Sequence, residues 1–185
     1  METMQAILTR RSIRRFQQKP IGRDALTAIV RAGAHAATGG NRQKWRFVAV
    51  SEAGKVAATT ETLGWLNAWY PPAGMGPTAH VVVLAPADAS ASILADCAAA
   101  MQNMALAAWD AGIGSCWFGS VKREQLAGVL GIPADWQIFA VLALGYPAEE
   151  SGTVEGQDTK VTRDAAGRVA VPKRPLREVL SFDGF

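Results

Sequence analysis

A chain of 185 residues, 49% of them apolar, has the length of about one domain and enough hydrophobic side chain for a substantial core, unlike a disordered composition. Its 19 basic and 16 acidic residues leave a net charge of only +3, gathered at Arg10–Arg15 and Lys173–Arg177 and not spread over a broad face as in a dedicated nucleic-acid binder. Cys97, Cys116, His35 and His80 stand in no metal-ligand or disulfide spacing, no apolar run reaches the roughly 18 residues of a membrane span, and no signal-peptide core opens the chain, so a soluble cytoplasmic protein without a metal is expected.

In chain order, Glu2–Leu8 predicts a short helix that runs into "TRRSIRRF", residues 9–16, where four arginines crowd six positions. Ile13 and Phe16 point to a brief extended piece, in which Arg10, Ser12 and Arg14 share one face and Arg11, Ile13 and Arg15 the other. Guanidinium forks suit phosphate oxygens, and Ser12 adds a hydroxyl among them, but a solvated charge run reads equally well from this stretch alone. Pro20–Asp24 opens a second helix with an apolar face of Leu26, Ile29, Val30 and Gly33, expected to fail at Gly39-Gly40. The following "TGGNRQKWRFVAV", residues 38–50, places two glycines and the amides of Asn41 and Gln43 before a strand over Trp45–Val50. It is either a ligand-facing loop or an ordinary helix-to-strand turn.

Glu61–Thr78 is aromatic and proline-bearing but not periodic, so it predicts no element. "HVVVLA", His80–Ala85, is a buried strand. Ser90–Ala111 is a long alanine-rich helix closed by Gly112, with so few charges that more than one face should be buried. "GSCWFGS", Gly114–Ser120, is a short strand or turn, read either as core or as backbone facing a ligand. Ser120 could cap a helix to Leu130, stopped by Gly131 and Pro133. Ile138–Leu144 is another apolar strand ending at Gly145, Glu149–Arg168 is polar and loop-like, and Pro175 opens a last short helix before an apolar tail with Phe182 and Phe185. Few strands alternate with helices, which predicts an α+β fold or an α/β fold on a single sheet.

The ordered set of motifs is more specific than any one of them. Arg-Arg-Ser-x-Arg-x-Phe follows a helix; Gly-Gly-Asn-x-Gln-x-Trp-x-Phe follows the next; Gln102–Ala108 leads to Gly-Ile-Gly-Ser-Cys-Trp-x-Gly; then come Leu144-Gly145-Tyr146-Pro147 and Lys173-Arg174-Pro175-Leu176. Over nearly the whole chain this resembles the FMN-dependent nitroreductase family in its short form. The resemblance implies an α+β sandwich with a mainly antiparallel central sheet flanked by helices. The unit would be one FMN-binding domain over 1–185, with a short insertion near the substrate pocket at about 61–78 and a C-terminal arm at about 172–185, working as an intertwined homodimer with FMN at the interface.

By the same resemblance, Arg10, Arg11, Ser12 and Arg14, joined by Lys173 or Arg174, would hold the FMN phosphate and ribityl end. Thr38, Gly39, Gly40, Asn41 and Gln43 would reach the isoalloxazine from the partner subunit, and the backbone of Trp117, Phe118 and Gly119 would line the ring. Gln102 and Asn103 would lie in the dimer core, and Trp65, Trp69 and Tyr70 either wall the substrate pocket or pack in the core. The implied reaction takes hydride from NADH or NADPH onto flavin N5 and passes it to a small electron acceptor, a nitroaromatic, quinone or activated alkene, with no catalytic side chain, nucleic acid or membrane involved. Dehalogenation, flavin destruction or biosynthetic dehydrogenation on the same scaffold is the alternative, and a nucleic-acid-binding module using the arginines is a more distant one. Lys44 stands where many relatives carry proline, and where longer relatives have an asparagine and a lysine that address the flavin pyrimidine this chain offers Asn67 but no matching lysine; Lys44, Arg46 and backbone amides are the candidates for that role.

Overall fold

The computed structural model describes residues 1–66 and 69–185, and the chain divides into two compact units, Met1–Ala148 and Glu149–Phe185. The first unit is built on a five-stranded, wholly antiparallel sheet. Its strands are β1 (Phe16–Gln17), β2 (Arg46–Val50), β3 (Ala79–Pro86), β4 (Gly114–Phe118) and β5 (Trp136–Pro147). They run in the order β1-β5-β3-β2, with β4 also paired to β5. The helices are α1 (Thr3–Thr9), α2 (Arg23–Ala34), α3 (Ala53–Glu61), α4 (Ala91–Asp110) and α5 (Arg123–Leu130). This is the expected α+β sandwich around a mainly antiparallel sheet.

The central strands read as unbroken apolar runs because both sheet faces are covered. Val81, Val83 and Ala85 of β3 turn to one face, where they pack with Leu26 and Ile29 of α2 and Cys97, Met101 and Met104 of α4. Val82 and Leu84 turn to the other, where they meet Val56 of α3 and Leu126 of α5. Each fully buried side chain of this kind contributes about 1.5–3 kcal/mol from water exclusion. The small residues of α2 and α4 let the two helices close: a Cβ on Gly33 would sit 2.7 Å from Met104 Cγ, and Asn103 Nδ2 donates to Ala32 O at 3.3 Å.

Two glycines facing each other across β4 and β5, Gly114 and Gly145, leave a dent in the sheet. Ile13 and Phe16 fill it, so closely that a Cβ would come within 2.9 Å of Ile13 at one glycine and 2.7 Å of Phe16 at the other.

Several elements differ from the sequence reading. Helix α3 was not predicted, although Glu52 caps it by accepting from Gly54 N–H and Lys55 N–H. Helix α2 stops at Ala34, capped at His35, and Gly39–Asn41 forms a separate 3-10 turn. Ser120 does not cap α5, which begins at Arg123 after Lys122 with no side-chain cap. β5 continues through Gly145 to Pro147 because β1 pairs with its end.

The second unit, expected to be mostly loop, carries a three-stranded sheet of β6 (Ser151–Glu155), β7 (Thr162–Arg163) and β8 (Val169–Lys173), in which β8 is central. Its polar residues reflect strands exposed on at least one face, and Arg163 anchors the turn by donating to the deeply buried Glu149 carboxylate at 2.7 Å and to Gly167 O at 2.8 Å. Pro175 precedes a 3-10 turn over Leu176–Glu178, as predicted. No helix of the described residues is long and apolar enough to cross a membrane.

Candidate functional site

The arginine row follows α1 in extended conformation and is stitched to β4. Ser12 bridges Ser115, and the Ile13 N–H donates to Ser115 O at 2.9 Å. The side chains alternate as the sequence predicts: Arg11 and Ile13 are buried, whereas Arg10, Ser12 and Arg14 are half-buried on the opposite side. Two terminal nitrogens of Arg11 donate to Arg10 O and Leu8 O and so close the C-terminal end of α1. Arg10 keeps a buried Nε with no partner in the structure. Burial pushes the Arg10 guanidinium below its usual range, opposed by nearby Cys116, and burial with the charge of Arg10 does the same to Arg11. A buried, unsatisfied guanidinium donor is what an anionic oxygen would complete.

Beside this row lies a cleft of about 220 Å³ bounded by Arg14, Gly64, Trp65, Trp69 and the Cys116–Ser120 stretch. It brings together Arg14, the "CWFG" turn and two of the three expected pocket aromatics. Arg14 lies over the Trp69 ring at 5.0 Å, and Trp65 packs on Phe118 with ring centroids 4.4 Å apart. Trp117 is 38% exposed and stands edge-on to Phe139. The cleft wall is a short zipper: Leu63 bridges Val121, Gly64 N–H donates to Ser120 O at 2.8 Å, and Lys122 N–H donates to Thr62 O at 2.9 Å. Tyr70 instead borders a different cleft, of about 480 Å³, with Thr60, Glu61, Pro77 and Thr78, and touches the first only through its edge-on contact with Trp65. Asn67 lies outside the described residues. Cys116 is buried and in no disulfide, and buried His80 is held through Nε2 by Thr60 Oγ1 at 3.0 Å.

The Thr38–Gln43 loop lies elsewhere, against the first turns of α4. Gly39 N–H donates to Asp96 Oδ1 at 3.2 Å, and Arg42 Nη2 donates to Ser92 Oγ at 3.0 Å. Gly40, Asn41 and Gln43 all have positive φ, 62°, 55° and 48°. For a glutamine that geometry is rare, and it is locked by Gln43 Nε2 donating to Asn41 Oδ1 at 2.9 Å and Gln43 N–H to Thr38 Oγ1 at 3.3 Å. The loop leads into β2, which β3 and β5 separate from β4; three inter-strand steps amount to about 14 Å. Within the chain the loop and the cleft are therefore apart. Lys44 is exposed, Arg46 lies over the Trp136 ring at 5.0 Å, and Gln102 is exposed on α4. Lys173 ends β8 and Arg174 follows it, both exposed, in the second unit.

One residue escaped the sequence reading. Arg123, the first residue of α5, donates through Nε to Ile138 O at 2.9 Å and through Nη2 to Gly119 O at 3.0 Å and Phe139 O at 3.3 Å. The available signal was Lys122-Arg123 opening a helix, where the helix dipole disfavours cations.

Comparison with known proteins extends these observations. A family model described as the Nitroreductase family matches residues 7–146. A protein of Archaeoglobus fulgidus that carries the provisional name NADH dehydrogenase/NAD(P)H nitroreductase is 34% identical over 167 residues, covering 85% of this chain and 92% of that protein. The crystal structure of a nitroreductase with bound FMN from Bacteroides fragilis is 26% identical, with a TM-score of 0.68 over 89% of this chain and 96% of that one. An FMN-dependent nitroreductase from Clostridium difficile, 17% identical, shares the fold with a TM-score of 0.76 over 98% of this chain and 99% of that one.

Proposed function

The chain belongs to the nitroreductase family, and on that premise we propose that it is an FMN-dependent oxidoreductase that uses NADH or NADPH to reduce nitroaromatic, quinone or similar electron-poor compounds. The observation that carries the reading is the stitching of the arginine row to β4: the Ser12–Ser115 bridge sets Arg10 and Arg14 beside the strand whose end lines an aromatic cleft. This supports reading Arg10 and Arg14 as the phosphate-binding cations and the neighbouring cleft as the seat of the ring.

Bound FMN would supply the chemistry, accepting hydride at N5 and releasing it to the acceptor in a ping-pong cycle. The chain's own residues bind and orient. Arg10, Ser12 and Arg14 hold the phosphate end, and the unpartnered Nε of Arg10 gains an acceptor there. Lys173 or Arg174, in a C-terminal arm over about 172–185, is proposed for the phosphate end on the family resemblance alone. Trp117, Phe118 and Gly119 offer backbone to the ring, and Trp65 and Trp69, in the 61–78 insertion, wall the substrate side and exclude water; Tyr70 stands at the rim.

Thr38, Gly39, Gly40, Asn41 and Gln43 approach the ring from the second copy of a homodimer. The roughly 14 Å that separates β2 from β4 within one chain supports this assignment, because one loop cannot reach its own cleft across two intervening strands. So does its strained backbone, which a merely connecting turn does not need. The whole chain, 1–185, then acts as one FMN-binding domain in a cytoplasmic enzyme.

The test is reconstitution of the full chain with FMN, followed by anaerobic reduction with NADH and NADPH in turn and reoxidation by nitroarenes, quinones and enones. Yellow protein bleached by a nicotinamide and recoloured by one of these acceptors is expected. Protein that stays colourless with excess FMN, or binds it and is reduced by neither nicotinamide, overturns the proposal.

A further inference from the structure

We propose that Arg123 is a positioning residue that aims and polarises the Ser120 peptide N–H toward the bound flavin, favouring its reduced form; this rests on the flavin reading above.

Arg123 sits where a cation gains nothing from its own helix. It opens α5 behind Lys122, at the positive end of the helix dipole, where a cation is disfavoured. Its guanidinium turns back, away from the helix, and gathers three carbonyls from two segments: Gly119 at the β4–α5 turn, and Ile138 and Phe139 on β5. The β5 pair is on an edge that β4 has already left, since the last β4 contact is Phe118 with Val141. Arg123 thus pins the turn to the sheet just where strand pairing ends.

The Gly119 carbonyl decides what faces the cleft. In a trans peptide the C=O and the following N–H point in opposite directions. With Gly119 O held by Arg123 at 3.0 Å, the Ser120 N–H is directed away from the Arg123 guanidinium. The next carbonyl, Ser120 O, is committed as well, to Gly64 N–H at 2.8 Å. Ser120 itself is exposed and lines the cleft, and its N–H has no acceptor among the described residues. Two fixed carbonyls therefore leave one free donor at the cleft wall, held in orientation from both sides. A cation on the carbonyl of a peptide strengthens the hydrogen bond its N–H can give, because charge-assisted and chained hydrogen bonds polarise one another. A donor fixed beforehand, aimed where negative charge builds up, stabilises that charge without reorganisation. In a flavin that charge accumulates on reduction.

The competing reading makes Arg123 a brace for the β4–α5 corner only. The two are separated by measuring the midpoint potential of FMN bound to wild-type, Arg123→Gln and Arg123→Lys full-length protein, with thermal unfolding of each. Arg123→Gln is expected to lose about tenfold in preference for reduced over oxidised FMN, which is about 30 mV more negative for a two-electron couple. Arg123→Lys, a point charge that cannot span three carbonyls, is expected to fall between. An unchanged potential in a variant that binds FMN and unfolds at lower temperature overturns the inference and leaves the brace. Should Arg123→Gln not fold, hydrogen exchange of the Ser120 amide in the wild-type protein decides: slower exchange when FMN is bound is expected, and exchange unaffected by FMN refutes it. Wild-type protein that takes up no FMN refutes the flavin reading and this inference together, whereas normal FMN reduction with an indifferent Ser120 amide refutes this inference alone.

Discussion

Gly64→Ala adds one methyl group to the cleft wall at a place with no room for it. The new Cβ would lie 2.2 Å from Ser120 Oγ, 2.6 Å from Ser120 Cβ and 3.1 Å from Ser120 O. Rotating the serine hydroxyl relieves only the first of these contacts. Relief of the others needs the two backbones to part, and those backbones are joined by the 2.8 Å bond from Gly64 N–H to Ser120 O. Overpacking of this kind costs about 1–3 kcal/mol, and weakening one backbone hydrogen bond adds about 0.5–1.5 kcal/mol. The expected loss is roughly 2–4 kcal/mol, and at about 2–4 °C per kcal/mol for a chain of this size the melting temperature falls by roughly 4–16 °C. Ser120→Gly deletes the two closest atoms and leaves only the 3.1 Å approach, so the double variant should regain more than half of the loss. Calorimetric melting of wild type, both single variants and the double variant completes a cycle whose coupling term isolates the clash. A Gly64→Ala protein as stable as wild type, or a double variant less stable than Gly64→Ala alone, would refute the reasoning.

Two further outcomes are expected. Arg10→Ala and Arg14→Ala should each weaken FMN retention by about 1.5–3 kcal/mol, the scale of a hydrogen bond to a charged group; fluorescence titration measures it, and unchanged affinity in both removes the phosphate assignment. Burial holds the His80 imidazole down at about 4 against an ordinary 6.5, so between those values the unfolded chain binds a proton that the folded chain refuses. Stability should therefore be flat above about pH 6.5 and fall by up to roughly 3 kcal/mol as the pH drops toward 4. Urea unfolding at a series of pH values checks this, and His80→Leu should flatten that limb; an identical slope in the variant assigns it to other groups.

The central sheet was legible because its strands are buried on both faces, and such strands announce themselves as runs like His80–Ala85. The alternation of Arg10 to Arg14 was legible for a related reason, since a two-residue period follows from extended backbone once Ile13 and Phe16 mark the inward side. Helix α3 was missed because its apolar side is thin: Val56 and Thr59 are its only buried residues, and its cap is a glutamate, a weaker signal than serine or aspartate. β6 to β8 were missed because strands exposed on one side carry polar residues that read as loop. At the site, single-residue chemistry pointed to the arginines and aromatics. Their assignment to one cleft depended on pairings such as Ser12 with Ser115 and Leu63 with Val121, which join residues about 60 to 100 positions apart and leave no local trace. Arg11 shows the limit from the other side, because nothing in its neighbours says that its fork is already filled by the helix before it.

The dent made by Gly114 and Gly145 has a consequence for how the cationic row could change over time. Ile13 and Phe16 drop into it like two pins into a socket, so the spacing of Arg10, Ser12 and Arg14 is indexed to the sheet and not to α1. One extra carbon at either glycine would lift the whole row off its seat.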